Sequence, residues 1–209
     1  MDIIKQLNWR YATKRFDPTK KVSQDKLDIL KQAFNLTALS YGLQTSKLVV
    51  VSNPVLKSKL VPMCYGQQQV EQASQVLVIC IQKTVDASDV DAHFDTIKAI
   101  RNTPELVLSK FRKEQKQYIN SLSAEQIEAW CTKQAYIILG NLMTVCAVEG
   151  IDACPMEGFI PKQVDALLQL DSHNLKSVLL LPIGYRADDD PFATFKKVRK
   201  NLSDTVIDM

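Results

Sequence analysis

The first residues of the chain include apolar positions at helical spacing. Apolar residues three and four positions apart predict a helix over residues 2–9, and Ser23 is placed to cap a second helix that ends near Thr37. Between these helices the period breaks in residues 10–18, which carry several cations before a proline. The pattern therefore predicts a short helix, a basic loop and a second helix.

Short apolar runs predict a sheet between helices. We interpret residues 47–51, 75–81 and 177–183 as strands, and the lack of alternation in residues 75–81 indicates cover on both faces. Helical patterns occupy the intervals: residues 53–60, a short piece ending near residue 74, two surface helices in residues 86–121 broken around residues 102–104, and residues 161–168.

A capping box formed by Ser123 and Gln126 predicts the start of a long helix. Residues 135–148 of this helix are apolar nearly all round, which predicts burial on every side. In a domain of this size such burial indicates contact with a second subunit. Gly150 closes the helix, and residues 155–159, Pro-Met-Glu-Gly-Phe, follow as a loop.

Composition narrows the class of protein. The 209 residues are 46% hydrophobic and 23% charged, without repeats or linkers, which predicts one globular domain over residues 1–209. The net charge of +3 is too small to favour nucleic acid or a membrane surface as partner. The cysteines are odd in number and lack C-x-x-C spacing, and no signal region or membrane-length apolar run is present. We expect reduced core cysteines and a cytoplasmic protein.

Several catalytic chemistries lack their residue patterns. There is no G-x-G-x-x-G, P-loop, G-x-S-x-G or Cys-His signature. His93 and His173 have no companion ligands and are interpreted as surface or loop histidines. Residues 188–190 are three consecutive aspartates before a proline, a pattern more typical of a solvated turn than of a metal site. The pattern therefore predicts neither a metal site nor a side-chain acid or base catalyst.

Two basic clusters remain, in residues 10–15 and 195–200. Clustered Arg and Lys donors suit a phosphate monoester, which predicts a phosphorylated cofactor that supplies its own chemistry. The candidate ligands are Arg10, Lys14, Lys197 and Arg199. Two alternatives stay open on composition alone: both clusters are solvated surface, or the tail binds nucleic acid.

Five motifs in order carry a resemblance to a known family: residues 10–14, 40–44, 71–74, 155–159 and 197–199. Together they resemble the nitroreductase family of FMN-dependent NAD(P)H oxidoreductases over nearly the full length. The resemblance implies an α+β fold with an antiparallel-to-mixed sheet flanked by helices. It also implies an intertwined homodimer packed on the long helix, with two FMN sites at the interface.

The resemblance assigns cofactor-binding positions. The basic residues would hold the FMN phosphate and ribityl region or, in the case of Lys14, the pyrimidine edge of the ring. The backbone amides of Glu157 and Gly158 would face flavin N5 and O4, and Leu39, Ser40 and Gly42 would come from the other subunit. The full set is Arg10, Tyr11, Ala12, Lys14, Leu39, Ser40, Gly42, Gly66, Gln69, Pro155, Met156, Glu157, Gly158, Lys197 and Arg199.

The implied reaction transfers hydride from NADH or NADPH to FMN and then reduces a nitroaromatic or quinone-type acceptor by a ping-pong mechanism. The alternative is a flavin-binding redox sensor or store with little turnover. The chain departs from the family pattern at Ala12, where family members often have Ser, and at Gly66, where they often have Asn. The glycine loses one side-chain contact to the ring, so we expect looser binding there. The chain also departs at Thr45, next to the expected substrate pocket.

Overall fold

The structure is a computed structural model that describes residues 2–209. Its helices are α1 (Ile3–Trp9), α2 (Gln24–Asn35), α3 (Pro54–Met63), α4 (Gln69–Gln72), α5 (Ala87–Arg101), α6 (Glu105–Ser121), α7 (Ala124–Val148) and α8 (Pro161–Leu167). Its strands are β1 (Ser46–Val51), β2 (Gln75–Gln82), β3 (Asp152–Ala153) and β4 (Leu175–Gly184). The predicted break between α5 and α6 is present, with Asn102 in the left-handed region at φ 51°.

The sheet has the order β1-β2-β4-β3, and every neighbouring pair of strands is antiparallel. The three predicted strands are confirmed within a few residues, whereas β3 has only two residues and shows no strand pattern in the sequence. Asp152 of β3 pairs with Gly184, and its neighbour Ala153 forms a parallel bridge with Ala12 of the basic loop. Strand β3 therefore ties the basic loop to the sheet.

Both faces of β2 are buried, as its apolar run predicts. Leu77, Ile79 and Ile81 pack in a cluster with residues of α2, α5, α6 and α7. The alternate residues of the strand pack in a second cluster with residues of α3, α4 and α8. Side chains of a strand point to opposite faces in turn, so the helices must cover both sides of the sheet. The α+β class is confirmed.

The capping box of α7 is confirmed. The hydroxyl of Ser123 accepts from the backbone N–H of Gln126 at 3.3 Å, and the side chain of Gln126 accepts from the N–H of Ser123 at 2.8 Å. Burial on every side is wrong for the single chain, because the core covers one face of the helix only. On the opposite face Tyr136 and Ile137 are 43% and 49% exposed.

Replacing Ser123 with alanine is expected to lower the free energy of unfolding by about 1 kcal/mol, because it removes the N-cap acceptor of the longest helix. The measurement is urea denaturation. Ser58→Ala is the matched control, since Ser58 is an exposed residue within α3 whose hydroxyl has no partner in the described chain. Equal stability of the two variants would contradict the role of the cap.

Candidate functional site

A cavity of about 790 Å³ opens between the basic loop (residues 10–18), α7, residue 155 and the C-terminal tail, which contributes lining residues between positions 192 and 199. Both predicted basic clusters line it, although they are far apart in the sequence. The lining residues are Asn8, Trp9, Arg10, Tyr11, Ala12, Lys14, Met143, Pro155, Arg186, Phe192, Ala193, Phe195, Lys196, Lys197 and Arg199. Seven of the predicted binding residues therefore meet in one place: Arg10, Tyr11, Ala12, Lys14, Pro155, Lys197 and Arg199.

The basic loop is held in place by backbone hydrogen bonds to two other segments. The N–H of Thr13 donates to the carbonyl of Ala153 at 3.3 Å, and the N–H groups of Lys14 and Arg15 donate to one Asp190 oxygen at 2.9 and 3.1 Å. Asp190 is buried, which corrects its interpretation as part of a solvated turn. Burial raises its pKa, but these donors and the N–H of Phe192 outweigh burial and hold the pKa below its usual range.

A second set of contacts that holds the basic loop involves Arg186, a residue that the sequence did not point to. Its guanidinium lies 4.5 Å from the ring centroids of both Trp9 and Tyr11. It also donates to one oxygen of buried Asp152 from Nε and Nη2 at 2.8 and 2.5 Å, while its backbone N–H donates to the other oxygen at 2.9 Å. Cation–π contacts to both neighbours of Arg10 fix the backbone from which Arg10 extends.

Four cations of the cavity, Arg10, Lys14, Lys197 and Arg199, are clustered without counter-charges in the described part of the chain. Burial and then Arg199 lower the pKa of Arg10, and burial followed by Arg199 and Arg10 lowers the pKa of Lys197. Lys197 Nζ also donates to the Arg10 carbonyl at 2.5 Å. In the described part of the chain, none of Arg10, Lys14, Lys197 and Arg199 has a carboxylate within 4.0 Å. An anion of high charge would relieve this repulsion.

The loop of residues 155–159 reaches the basic cavity at Pro155 and offers hydrogen-bond donors further along. Met156 exchanges two backbone hydrogen bonds with Leu180 at 2.8 and 3.0 Å, which fixes the loop to the sheet. The N–H groups of Glu157 and Gly158 find no acceptor within residues 2–209. Two adjacent unpaired donors next to Pro155, which lines the basic cavity, can bind the polar edge of a planar ring.

Five predicted binding residues in or near the 155–159 loop lie outside the lining of the basic cavity: Gly66, Gln69, Met156, Glu157 and Gly158. Gln69 is buried, and its side chain donates to the Gln67 oxygen at 3.0 Å. Gln67 in turn donates to the carbonyl of Gly158 at 2.9 Å. The segment of residues 66–69, which contains the departure at Gly66, thus contacts the 155–159 loop through Gln67, a residue that sequence reasoning missed.

Leu39, Ser40 and Gly42 are not brought to the basic cavity within one chain. The N–H of Ser40 donates to the Gln134 side chain at 2.9 Å. Gly42 has φ +72°, and a Cβ added there would lie 2.7 Å from His93 Cε1, so the turn packs directly on α5. These three residues belong to a different surface of the chain.

That surface contains an aromatic cavity of about 500 Å³, lined by Tyr41, His93, Phe94, Ile97, Phe111, Glu114, Gln115 and Tyr118. The interpretation of His93 as a surface or loop residue is wrong, because it lies on α5 and is half-buried. Burial, followed by the charge of Arg101, lowers its pKa and favours the neutral ring. His173 is exposed, as expected.

The cysteines are buried core residues, as predicted: Cys64, Cys80, Cys131, Cys146 and Cys154. Burial is the first cause of the raised pKa of each thiol. Of the helices in residues 2–209, none combines the length and apolar character needed to cross a membrane.

Comparison with known proteins identifies the family. The Nitroreductase family profile matches residues 7–185. A candidate NAD(P)H nitroreductase of Staphylococcus haemolyticus is 34% identical, with 98% of this chain and 95% of the relative covered. The candidate NAD(P)H nitroreductase YfkO of Bacillus subtilis is 33% identical over 90% of each chain. This chain therefore belongs to the nitroreductase family.

Solved structures share the fold. A candidate nitroreductase YdfN from Bacillus subtilis superposes with a TM-score of 0.87 at 20% identity, covering 99% of this chain and 98% of the other. A candidate nitroreductase from Exiguobacterium sibiricum, solved in complex with FMN, has a TM-score of 0.86 at 20% identity, covering 100% and 98%. The nitroreductase-like fold inferred from the motifs is confirmed.

Proposed function

We propose that residues 1–209 form one FMN-binding domain of an NAD(P)H oxidoreductase that reduces nitroaromatic or quinone-type acceptors. The observation that carries the proposal is the cavity in which the unpaired cations Arg10, Lys14, Lys197 and Arg199 meet Pro155. The loop that begins at Pro155 carries two adjacent amides, at Glu157 and Gly158, that have no acceptor within residues 2–209. Cations suit a phosphate and amides suit the polar edge of a flavin ring. The names of the relatives, candidate NAD(P)H nitroreductases, and the FMN complex of a structural neighbour support this assignment.

Each group of residues has a distinct role toward the cofactor. Arg10, Lys197 and Arg199 bind the phosphate, and Lys14 reaches from the same loop toward the ring. The N–H groups of Glu157 and Gly158 bind the ring edge, and the backbone of the 155–159 loop orients it. Bound FMN supplies the redox chemistry, accepting reducing equivalents from NADH or NADPH and passing them to the acceptor. The protein binds and orients the cofactor and excludes water from it.

The proposed homodimer accounts for the apolar surface of α7. Exposed Tyr136 and Ile137 lie on the face that the core leaves uncovered. A partner packed on this face brings its own Leu39, Ser40 and Gly42 to the cofactor. The aromatic cavity beside that turn then receives the planar acceptor, because its Tyr and Phe side chains favour flat aromatic rings. Donor and acceptor use one pocket in turn, which gives ping-pong kinetics.

Reconstitution with FMN followed by anaerobic reduction tests the function. The purified protein is expected to be yellow, or to become yellow with excess FMN, and NADH or NADPH is expected to bleach the flavin absorbance promptly. A protein that stays colourless with excess FMN contradicts the proposal. Bleaching slower than minutes would instead favour the redox sensor or store.

Glu157→Gln is expected to keep most FMN binding, measured by equilibrium titration. The backbone N–H of residue 157 is the proposed ligand, and the variant leaves it in place. Glutamine also keeps a side-chain oxygen that can accept from Tyr136, the present partner of Glu157 at 2.7 Å. Loss of FMN binding in this variant would show that the carboxylate itself is required.

A further inference from the structure

The loop of residues 155–159 is held by side chains on two sides. The Tyr136 hydroxyl of α7 donates to Glu157 Oε1 at 2.7 Å. From another segment, Gln67 Nε2 donates to the carbonyl of Gly158 at 2.9 Å. Behind the loop, Met156 is fixed to Leu180 by backbone hydrogen bonds. The two residues with unpaired N–H groups are therefore each restrained separately.

Gln67 is itself held in position. Its side-chain oxygen accepts from Gln69 Nε2 at 3.0 Å, and Gln69 is only 5% exposed. A Cβ added at Gly158 would lie 3.1 Å from Gln67 Nε2, so the absence of a side chain at residue 158 allows this close approach. The hydrogen bonds run from a buried glutamine through Gln67 to the loop backbone.

Tyr136 has the protonation state that a donor needs. Its hydrogen bond to Glu157, followed by burial and the Glu157 charge, raises the tyrosine pKa above its usual value. The hydroxyl therefore keeps its proton at neutral pH. Glycine at position 158 makes the loop flexible unless such contacts restrain it.

We propose that Tyr136 and Gln67 are positioning residues that hold the N–H groups of Glu157 and Gly158 in one direction, ready for the flavin ring. The identity of the ligand rests on the proposed function, whereas the restraint of the loop does not. Donors held in place before binding lose little conformational freedom when the ligand arrives. The residues act on the ring end of the site and leave the phosphate end unchanged.

Backbone order parameters of the FMN-free protein test the restraint directly. The N–H order parameters of Glu157 and Gly158 are expected to lie near about 0.85 in the unsubstituted protein and to fall toward about 0.6 in a Tyr136→Phe, Gln67→Met double variant. Gln68→Met is the matched control, since the neighbouring Gln68 side chain bonds only to the carbonyl of Gly66 among residues 2–209. Unchanged order parameters in the double variant would overturn the proposal.

Single variants separate the two contacts. Tyr136→Phe is expected to loosen residue 157 more than residue 158, and Gln67→Met is expected to do the reverse. Glu157→Ala should reproduce the effect of Tyr136→Phe, while Glu157→Gln, which keeps an acceptor, should retain most of the order. A loop that responds equally to Gln68→Met and Gln67→Met would contradict the assignment of Gln67.

Flavin affinity distinguishes positioning from phosphate binding. Tyr136→Phe and Gln67→Met are each expected to weaken FMN and riboflavin binding by the same factor, about twofold to tenfold. A change in FMN binding alone would place the two residues at the phosphate and overturn the proposal. If the unsubstituted protein binds neither flavin, the proposed function fails, and the order parameters still decide whether the loop is held.

Discussion

Replacing Arg10 with alanine is expected to weaken FMN binding by about 1.5–3 kcal/mol, the contribution of a hydrogen bond to a charged group. The expected loss is large because Arg10 is half-buried, lies between two side chains that stack on Arg186, and has no carboxylate partner in the described chain. We expect a similar loss for Arg199→Ala. The measurement is equilibrium titration of the FMN-free protein.

Lys200→Ala is the matched control for these substitutions, because Lys200 is an exposed cation of the same tail that does not line the cavity. Its FMN affinity should stay close to that of the unsubstituted protein. If Arg10→Ala and Arg199→Ala both bind FMN as tightly as this control, the phosphate does not lie at the cation cluster.

Replacing Asp152 with alanine is expected to lower the free energy of unfolding by about 3 kcal/mol, because it leaves the Arg186 guanidinium and backbone N–H without their acceptor. Asp152 is 3% exposed, and it accepts all three hydrogen bonds from Arg186. The loss should also weaken FMN binding, since Arg186 orders both neighbours of Arg10. Urea denaturation measures the first effect and FMN titration the second.

Asp189→Ala provides the comparison. Asp189 pairs with Arg15, but the two side chains are 67% and 51% exposed, so this exposed pair should contribute less than about 1 kcal/mol. The free energy of unfolding should therefore differ clearly between the two aspartate variants. Equal unfolding free energies would mean that the Asp152 contact does not brace the loop.

The sequence predicted the parts of the fold that depend on local pattern. The apolar run predicted the bounds of β2 within a few residues, and the capping box predicted where α7 begins. The motifs around Arg10 and Lys197 also indicated one shared site, because both clusters have the donors that a phosphate needs. Local chemistry was sufficient for these predictions.

Other features depend on the register between distant segments. Asp152 and Arg186 are 34 positions apart, and the two-residue strand β3 that carries Asp152 has no pattern of its own. Asp190 looked like one of three exposed aspartates, yet its burial follows from accepting two N–H groups of the basic loop. Tyr136 lay in the apolar stretch predicted to be buried, and Gln67 carried no site prediction, yet the fold places both against the 155–159 loop.

The central claim is that the cation cluster binds the phosphate of FMN, and the most direct test compares FMN with riboflavin, which lacks that phosphate. The unsubstituted protein is expected to bind FMN at least about a hundredfold more tightly, since several charged hydrogen bonds are involved. This preference should shrink strongly in an Arg10→Ala, Lys197→Ala double variant. Equal affinity of the unsubstituted protein for FMN and riboflavin would contradict the account.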